Sequence, residues 1–351
     1  MTRIAIIGTG ANGASIGADL THSGLDVTFV EQWPEHVEAM RAHGLRINLP
    51  DRAETHTVRA IHLCQVAELR ETFDIILVLV KAYDTRWAAE LMKPLLAEEG
   101  LMVGVQNGMT LDDIADIVGS HRTVGCVIEI SSMMFEPGVV ERHSGRERSW
   151  FAVGSDSPET EGRAEEIADV LKYAGTVEVV DRIRAAKWMK LVSNSTTLVT
   201  TAILGLPMLE AAAIPEMRDV MLRAGREALH AGRVQGLPTL PIFGLSQQEI
   251  DTADDVVETL LDTLLAGFVL STTKTTILQD WMKGRRSEVG DINGRVVKVL
   301  EDAGLEAPVN SSVVALAQRI EAGELEPGPE HLALLLSLSD RDSRTSEARS
   351  S

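Results

Sequence analysis

Three glycines near the start of the chain have the spacing of a loop that binds a dinucleotide. A predicted strand, Arg3–Ile7, precedes the loop and a predicted helix follows it. The six loop residues are Gly8, Thr9, Gly10, Ala11, Asn12 and Gly13. In this spacing the first glycine permits a tight turn, the second lets the backbone approach a pyrophosphate, and the third lets helix and strand pack closely. The pattern predicts that the loop binds a nicotinamide or flavin dinucleotide.

An acidic residue ends the second predicted strand, which runs from Asp26 to Val30. The carboxylate of Glu31 is placed to accept hydrogen bonds from ribose hydroxyls, and its charge would repel a 2′-phosphate. The next residues, Gln32-Trp33-Pro34, bring no arginine or lysine. Glu31 therefore favours NAD(H) over NADP(H). The alternative is that Glu31 points into solvent and that a basic residue arrives from elsewhere.

Two polar side chains follow later apolar segments that predict buried parallel strands. Lys81 follows the segment Asp74–Val80, and Asn107 follows Leu101–Val105. Because ligands bind at the carboxyl ends of such strands, Lys81 is predicted to reach a cofactor phosphate or ribose. Asn107 is predicted to hold the nicotinamide ribose or a substrate. The alternatives are a solvated lysine and an Asn-Gly turn without a ligand.

A lysine and an asparagine lie on one face of the first predicted helix of the second half. Lys190 and Asn194 are four residues apart on a helix that is otherwise mostly apolar. Burying an amine is costly, which indicates that Lys190 has a chemical task, and proton donation is the one we expect. The alternative is a side chain that extends to solvent.

The last polar cluster lies just before a predicted helix. Glu288 stands beside Arg285 and Arg286, and Asp291 or Ser287 is the expected helix cap. On pattern alone Glu288 is also compatible with a capping box. Upstream hydroxyls that are available to bind a carboxylate are those of Thr272, Thr273, Thr275 and Thr276.

The order of the elements predicts two domains. Residues 1–182 alternate strands with helices, which indicates an α/β domain with a doubly wound, mostly parallel sheet. Two segments, Gly138–Arg142 and Trp150–Gly154, are predicted as antiparallel edge strands. Residues 183–338 read as successive helices that form an all-helical domain. The polar tail 339–351 is predicted to be disordered.

Composition limits the possible partners. Acidic residues outnumber basic ones by 52 to 33 among 351 residues, which argues against nucleic-acid and anionic-membrane binding. No segment is long and apolar enough for a membrane span, and no targeting segment is recognised, so we expect a cytoplasmic protein. Cys64 and Cys126 are expected to be reduced core residues, and no spacing predicts a metal site. The apolar helical domain favours a homodimer.

Taken together, the motifs resemble those of the ketopantoate (2-dehydropantoate 2-) reductase family. The resemblance covers about residues 3 to 322. The segments that carry it are GTGANG at Gly8–Gly13, VKAYDT at Val80–Thr85, QNG at Gln106–Gly108, K-x-x-x-N at Lys190–Asn194, LQD and EVGDING within Leu278–Gly294, and P-x-N at Pro308–Asn310.

The resemblance implies a Rossmann domain followed by a helical domain of the type found in 6-phosphogluconate dehydrogenases. It implies reduction of a 2-oxo acid by NAD(P)H, with 2-dehydropantoate as the family's default substrate and NADPH as its usual cofactor. Lys190 and Glu288 would be the catalytic residues: Lys190 would protonate the developing alkoxide, and Glu288 would hold the substrate hydroxyl. Asn107 and Asn194 would fix cofactor and substrate, and Thr276 would bind the substrate carboxylate.

Two positions depart from the family pattern. Leu198 and Met208 stand where ketopantoate reductases often carry polar residues, which makes the predicted pocket more apolar. Together with Glu31, they favour an alternative substrate: a bulkier apolar 2-oxo acid that is reduced with NADH to a D-2-hydroxy acid. A third hypothesis is a dinucleotide sensor without catalytic activity, which would have no need of Lys190 and Glu288.

Overall fold

The computed structural model describes residues 2–338, which form two compact units that divide between Arg184 and Ala185. The predicted division after residue 182 lies close to this point. The predicted disordered tail, 339–351, lies outside the described residues.

The first unit is built on strands that supply two sheets. The strands are β1 Arg3–Ile7, β2 Asp26–Glu31, β3 Leu45–Asn48, β4 Ala53–His56, β5 Arg59–His62, β6 Phe73–Val78, β7 Leu96–Val105, β8 Thr123–Glu129, β9 Ser132–Glu136, β10 Val139–Arg142, β11 Trp150–Gly154 and β12 Thr176–Val179. The α-helices between them are α1 Ala11–His22, α2 Pro34–His43, α3 Thr85–Met92, α4 Leu111–Val118 and α5 Ala164–Leu171.

The larger sheet has eight strands in the order β12-β11-β8-β7-β6-β1-β2-β5. The six strands from β8 to β5 are parallel, and β1 lies between β2 and β6 with Ile4 opposite both Val27 and Ile75. The direction of winding reverses between β1 and β6, which is the place where open α/β sheets bind ligands. The predicted fold class of this half is therefore confirmed.

The two faces of β1 belong to different core layers. Ile4 and Ile6 pack in the layer that contains α1, whereas Ala5 and Ile7 pack in the opposite layer with residues of α3 and α4. Because alternate side chains point to opposite faces, a strand covered by helices on both sides is apolar throughout. This burial fixes the register of β1 and, with it, the start of the glycine loop.

The smaller sheet was not foreseen from the sequence. Its strand order is β4-β3-β10-β9, and β10 lies inside it between β3 and β9. The prediction that Gly138–Arg142 and Trp150–Gly154 are edge strands is therefore wrong. β11 lies within the large sheet, antiparallel to β8 and parallel to β12. Short strands such as β3 and β4, with four residues each, give too little alternation to be recognised.

A buried ion pair joins the small sheet to α1. Arg142 of β10 is 2% exposed and donates to Asp19 of α1, and Arg146 donates to the other oxygen of the same carboxylate at 2.7 Å. The Nε and Nη2 atoms of the same guanidinium group donate to the backbone oxygens of Ser144 and Ala174. Because its hydrogen bonds are satisfied, the buried charge is tolerated and fixes how the sheet meets the helix.

The second unit is helical. Its helices are α6 Ile183–Ile203, α7 Met208–Ala212, α8 Pro215–Val234, α9 Gln247–Asp251, α10 Val256–Gly267, α11 Thr276–Met282, α12 Asn293–Asp302 and α13 Pro308–Glu321, and α6 begins just before the division between the units. The sequence predicts a single helix from Met208 to Gly232, but the structure breaks it before Pro215. Proline lacks an N–H group and suits the first turn of a new helix.

Helix α6 is buried although it carries many hydroxyl groups. The side chains of Thr196, Thr200 and Thr201 donate to backbone oxygens one turn earlier at 2.6–2.7 Å. The indole nitrogen of Trp188 donates to the carbonyl of Ala228 in α8 at 2.9 Å. These bonds satisfy the hydroxyl groups of the three threonines and the indole N–H of Trp188, which lowers the cost of burying α6.

Two further expectations can be compared with the described residues. Cys126 is buried as expected, but Cys64 is exposed, so the prediction that both are core residues is wrong for Cys64. Within residues 2–338, none of the helices combines the length and apolar character that crossing a bilayer requires.

Candidate active site

The three glycines of the loop are needed for different structural reasons. Gly8 has φ +90°, and a Cβ on it would lie 2.6 Å from the backbone nitrogen of Val80. A Cβ on Gly13 would lie 2.2 Å from the carbonyl oxygen of Gly8. A Cβ on Gly10 would meet nothing within 4 Å. The chain's own packing therefore explains Gly8 and Gly13, whereas Gly10 leaves open space beside the loop.

This space lies at the N-terminus of α1. Gly10 is the N-cap residue, and no side chain caps the helix there. The N–H groups of the first turn and the helix dipole together favour an anion at such a position. The absence of a Cβ at Gly10 lets a phosphate approach these groups. The loop residues therefore fit the pyrophosphate of a dinucleotide.

Glu31 is buried and held in one orientation. One carboxylate oxygen accepts hydrogen bonds from the N–H groups of Gln32 and Trp33 at 2.8 and 3.0 Å. The other accepts from the hydroxyl of Thr9 at 3.0 Å. The alternative of a solvent-facing Glu31 does not fit this burial, since only 6% of the residue is exposed. The hydroxyl of Thr9 already donates to Glu31. A hydrogen bond from this hydroxyl to the cofactor, as the sequence predicts, would compete with that bond.

His36 contacts the glycine loop through a hydrogen bond, and the sequence analysis did not identify this residue. Its Nε2 atom lies 3.0 Å from the carbonyl oxygen of Thr9, and the N–H of Gly138 donates to Nδ1 at 2.8 Å. A neutral ring with its proton on Nε2 satisfies both contacts. Burial lowers the pKa of His36, although the charge of Glu31 acts in the opposite direction. No sequence signal distinguishes this histidine, because its partners lie 27 and 102 residues away.

The side chain of Asn12 is also held from the small sheet. The hydroxyl of Ser132 in β9 donates to Oδ1 of Asn12 at 2.6 Å. Sequence analysis assigned Asn12 to the cofactor, and the structure gives its side-chain oxygen a protein partner. The small sheet is therefore linked to the loop and α1 at three points. Ser132 binds Asn12, Arg142 binds Asp19, and His36 bridges Gly138 and Thr9.

A glutamine joins the two segments that carry Lys81 and Asn107. The amide nitrogen of Gln106 donates to the carbonyl oxygen of Val80 at 2.7 Å and to the hydroxyl of Thr85 at 2.8 Å. Lys81 and Asn107 thus follow neighbouring strands, β6 and β7, at the edge that carries the glycine loop. The sequence placed Gln106 within a motif but gave no reason to expect this bridging role.

In the helical unit, Lys190 and Asn194 are both buried on α6, at 5% and 1% exposure. The ammonium nitrogen of Lys190 lies 5.1 Å from the ring centroid of Phe243. The alternative in which Lys190 extends into solvent is therefore wrong. The side-chain nitrogen of Asn194 has no hydrogen-bond partner among the described residues.

Two other segments attach to α6 and bring Thr276 and Glu288. The hydroxyl of Thr275, the N-cap of α11, donates to the carbonyl of Leu198 at 2.9 Å. The side-chain nitrogen of Asn293 donates to the carbonyl of Ser195 at 3.1 Å. Thr276 follows the first anchor, and the buried Glu288 precedes the second. The structure thus attaches the segments of both predicted residues to the helix that carries Lys190 and Asn194.

The expected helix cap near Glu288 is not found. Helix α12 begins at Asn293 with Ile292 as its N-cap, and no side chain caps it. Ser287 instead donates its N–H and hydroxyl to Glu321 at the end of α13. The backbone oxygen of Glu288 accepts from the N–H groups of Asp291 and Ile292, which forms a tight turn before the helix.

Buried polar atoms without partners mark this part of the unit. Among the helical unit's residues that the structure describes, the amide nitrogen of Asn194 and the hydroxyl of Thr276 are inaccessible and lack a hydrogen bond, as do the hydroxyl of Ser193 and Oδ1 of Asn293. Such atoms are rare because leaving them unpaired costs about 1–3 kcal/mol each. Of these residues, Asn194 and Thr276 are the two that the sequence assigned to the substrate. Their chemistry fits a carboxylate or carbonyl oxygen as partner.

A second polar network supports the same segments. The side-chain amide of Asn310 accepts from Asn293 and donates to Glu227, which also accepts the N–H groups of Val309 and Asn310. Burial raises the pKa of Glu227, which these hydrogen bonds partly oppose. Pro308–Asn310 was recognised as a motif, and the structure assigns it a supporting role. Among residues 2–338, no cluster of His, Cys, Asp or Glu side chains is arranged to hold a metal ion.

Comparison with known families shows which family the chain belongs to. The family model "Ketopantoate reductase PanE/ApbA" matches residues 4–156, and the model of its C-terminal domain matches residues 182–321. The chain belongs to the ketopantoate reductase family. The resemblance inferred from the sequence motifs is confirmed, and the helical unit is the family's C-terminal domain.

Individual relatives cover almost the whole chain. A 2-dehydropantoate 2-reductase of Archaeoglobus fulgidus is 28% identical over 92% of this chain and 98% of its own length. A PanE/ApbA family ketopantoate reductase from Ralstonia eutropha is 28% identical, covers 92% of this chain and 99% of its own, and superposes with a TM-score of 0.76. A D-mandelate dehydrogenase with NADH and anilino(oxo)acetate covers the same shares at 20% identity, with a TM-score of 0.80, and shows a common fold.

The glycine loop of this ketopantoate reductase family member can be tested with a matched pair of substitutions. We expect Gly13→Ala to lower the unfolding temperature, because its Cβ would clash with the Gly8 carbonyl. Gly10→Ala should leave the unfolding temperature close to that of the wild type and weaken NADH binding on the order of 10-fold, equivalent to about 1.4 kcal/mol. Thermal unfolding and fluorescence titration with NADH measure both effects. Wild-type NADH affinity in Gly10→Ala would contradict the assignment of the space beside Gly10.

His36 makes the stability of the first unit depend on pH. Because its pKa in the folded chain lies below the ordinary value of 6.5, the unfolded chain takes up the proton first as pH falls. The stabilising contribution is complete above pH 6.5 and is lost as pH falls from there to the folded-state pKa. We expect His36→Gln to flatten the decline in unfolding free energy below pH 6.5. His43→Gln, at the exposed end of α2, should retain the wild-type slope, and equal slopes for both variants would count against His36.

Proposed function

We propose that this chain reduces a 2-oxo acid to a D-2-hydroxy acid with a reduced nicotinamide dinucleotide. It belongs to a family of oxidoreductases, as the sequence analysis predicted. The observation that carries the proposal is the buried ammonium of Lys190 on the same helix as Asn194, whose amide nitrogen lacks a partner. A dinucleotide sensor would have no use for a buried proton donor of this kind.

Each residue of the helical unit has a proposed task. When bound, the reduced nicotinamide supplies a hydride to the keto carbon of the substrate. Lys190 gives a proton to the keto oxygen as negative charge develops there, which combines acid catalysis with electrostatic stabilisation. Asn194 and Thr276 donate hydrogen bonds to the substrate, with the carboxylate as the partner of Thr276. Glu288 accepts a hydrogen bond from a substrate hydroxyl and is a catalytic residue in this proposal.

We propose that the cofactor is NADH and that the first unit binds it. The loop from Gly8 to Gly13 holds the pyrophosphate, and Lys81 and Asn107 contact the phosphate or ribose groups from the neighbouring strand ends. The support for NADH is Glu31, whose carboxylate is buried and fixed by three hydrogen bonds at the end of β2. A fixed negative charge at this position is unfavourable for a 2′-phosphate.

The substrate proposed first is 2-dehydropantoate, the substrate in the name of the Archaeoglobus relative. A bulkier apolar 2-oxo acid is the second candidate, and two residues favour it. Met208 is buried, and Leu198 stands on α6 one turn after Asn194. Apolar residues at both positions reduce the hydrogen bonds available to a hydroxylated side chain. The D-mandelate dehydrogenase, which shares the fold, binds NADH with anilino(oxo)acetate.

Two further sequence-based expectations stay predictions. The absence of a recognised targeting segment favours a cytoplasmic protein, and the apolar helical unit favours a homodimer. Neither is needed for the proposed chemistry, because every residue assigned a role lies on this chain.

Turnover of the full-length protein tests the proposed function. We expect oxidation of NADH with 2-dehydropantoate or with a member of a panel of branched and aromatic 2-oxo acids. Lys190→Ala should lower kcat on the order of 10²–10⁴, the usual effect of removing a positioned acid. Lys190→Met keeps most of the packing of the stem and should lose similar activity. Tight NADH binding without turnover of any substrate would favour the sensor hypothesis.

The cofactor assignment has its own test. We expect the double substitution Glu31→Ala, Gln32→Arg to raise kcat/KM for NADPH relative to NADH by on the order of 10-fold or more, because a repulsive charge is replaced by an attractive one. The single substitution Gln32→Arg is the control, since it leaves Glu31 in place. An unchanged cofactor ratio in the double variant would show that Glu31 does not select the cofactor.

A further inference from the structure

Phe243 adopts a backbone conformation that phenylalanine rarely takes. Among residues 2–338 it is the one non-glycine residue with positive φ, at 62°, and Gly244 follows with φ 78°. The left-handed region is unfavourable for a bulky side chain because Cβ crowds the backbone. Residues held in such conformations occur at functional sites more often than elsewhere. The position therefore needs a reason to carry an aromatic ring.

The surroundings of the ring supply that reason. Phe243 is buried, and its ring lies 5.4 Å from that of Phe268, centroid to centroid. The Nζ atom of Lys190 lies 5.1 Å from the centroid of the Phe243 ring. This distance is within the range in which the negative face of a ring attracts an ammonium group. The attraction is strongest where the cation is shielded from water, as Lys190 is.

Helix α6 fixes only the backbone of Lys190. Four rotatable side-chain bonds separate its Cα from the ammonium nitrogen, so the helix alone leaves Nζ a wide range of positions. Proton transfer requires Nζ within hydrogen-bond distance of one oxygen. A ring in contact with the ammonium limits this range and lowers the cost of keeping the charge buried.

We propose that Phe243 is a positioning residue that holds the ammonium of Lys190 through a cation–π contact. The inference rests on the proposed function of Lys190 as proton donor. The strained backbone at residue 243 presents the ring to Nζ. Phe243 itself takes no part in the proton transfer.

Two substitutions of Phe243 distinguish the effect of its aromatic face from the effect of its apolar volume. Phe243→Leu keeps an apolar side chain and removes the aromatic face, whereas Phe243→Tyr keeps the face. We expect kcat of Phe243→Leu with NADH to fall about 10-fold while KM stays within 2-fold, consistent with a cation–π contact of ordinary strength. Phe243→Tyr should recover kcat to within 3-fold of wild type. Phe268→Leu, which removes a neighbouring ring, is the matched control and should lower kcat less than 3-fold.

A second readout does not depend on turnover. In protein labelled with ¹³C at lysine Cε, the signal of Lys190, assigned by its loss in Lys190→Arg, should be shifted by the nearby ring. Phe243→Leu should move it toward the signals of exposed lysines, and Phe268→Leu should not. An unmoved signal in Phe243→Leu would overturn the proposal, as would equal loss of kcat in Phe243→Leu and Phe243→Tyr. If the wild type shows no turnover, the proposed function fails, and the NMR signal still decides whether the contact exists.

Discussion

The burial of Lys190 on α6 is the constraint on which the proposed chemistry of the helical unit depends. Removing a charge from water costs several kcal/mol unless other groups compensate. In this unit the compensation includes the ring of Phe243, which lies against Lys190 at 5.1 Å. Most hydroxyl groups of α6 donate to backbone oxygens of the same helix, which lowers the cost of burying the helix. Thr275 and Asn293 then attach the segments that carry Thr276 and Glu288 to the same helix.

In the first unit, hydrogen bonds from neighbouring residues hold the glycine loop in one conformation. The carbonyl of Thr9 is bound by His36, and the hydroxyl of Thr9 binds Glu31. Asn12 is held by Ser132, and α1 is held by Arg142 through Asp19. The supports from β9, β10 and the turn at Gly138 all come from the small sheet. A loop that is fixed before ligand binding loses less conformational entropy when the ligand arrives.

Much of this organisation could be predicted from the sequence because it rests on local patterns. Glycine spacing, apolar strands of the parallel sheet and helical periodicity depend on neighbouring residues, and they led to the glycine loop, Glu31, Lys190 and the family. The roles of His36, Gln106 and Phe243 depend on partners that are distant in sequence. The small sheet was missed for the same reason, since β10 pairs with β3 across roughly ninety residues. The helix cap expected at Asp291 or Ser287 was wrong because Ser287 is bound to Glu321 of another helix.

The central claim is that hydride from a nicotinamide and a proton from Lys190 reduce one carbonyl group. The most direct measurement follows deuterium from NADH labelled at the transferred position of nicotinamide C4 into the product by mass spectrometry. The account predicts a 2-hydroxy acid with one deuterium at C2 from the wild type, and almost none formed in the same time by Lys190→Ala. Product that lacks the deuterium, or equal rates of labelled product from both proteins, would contradict it.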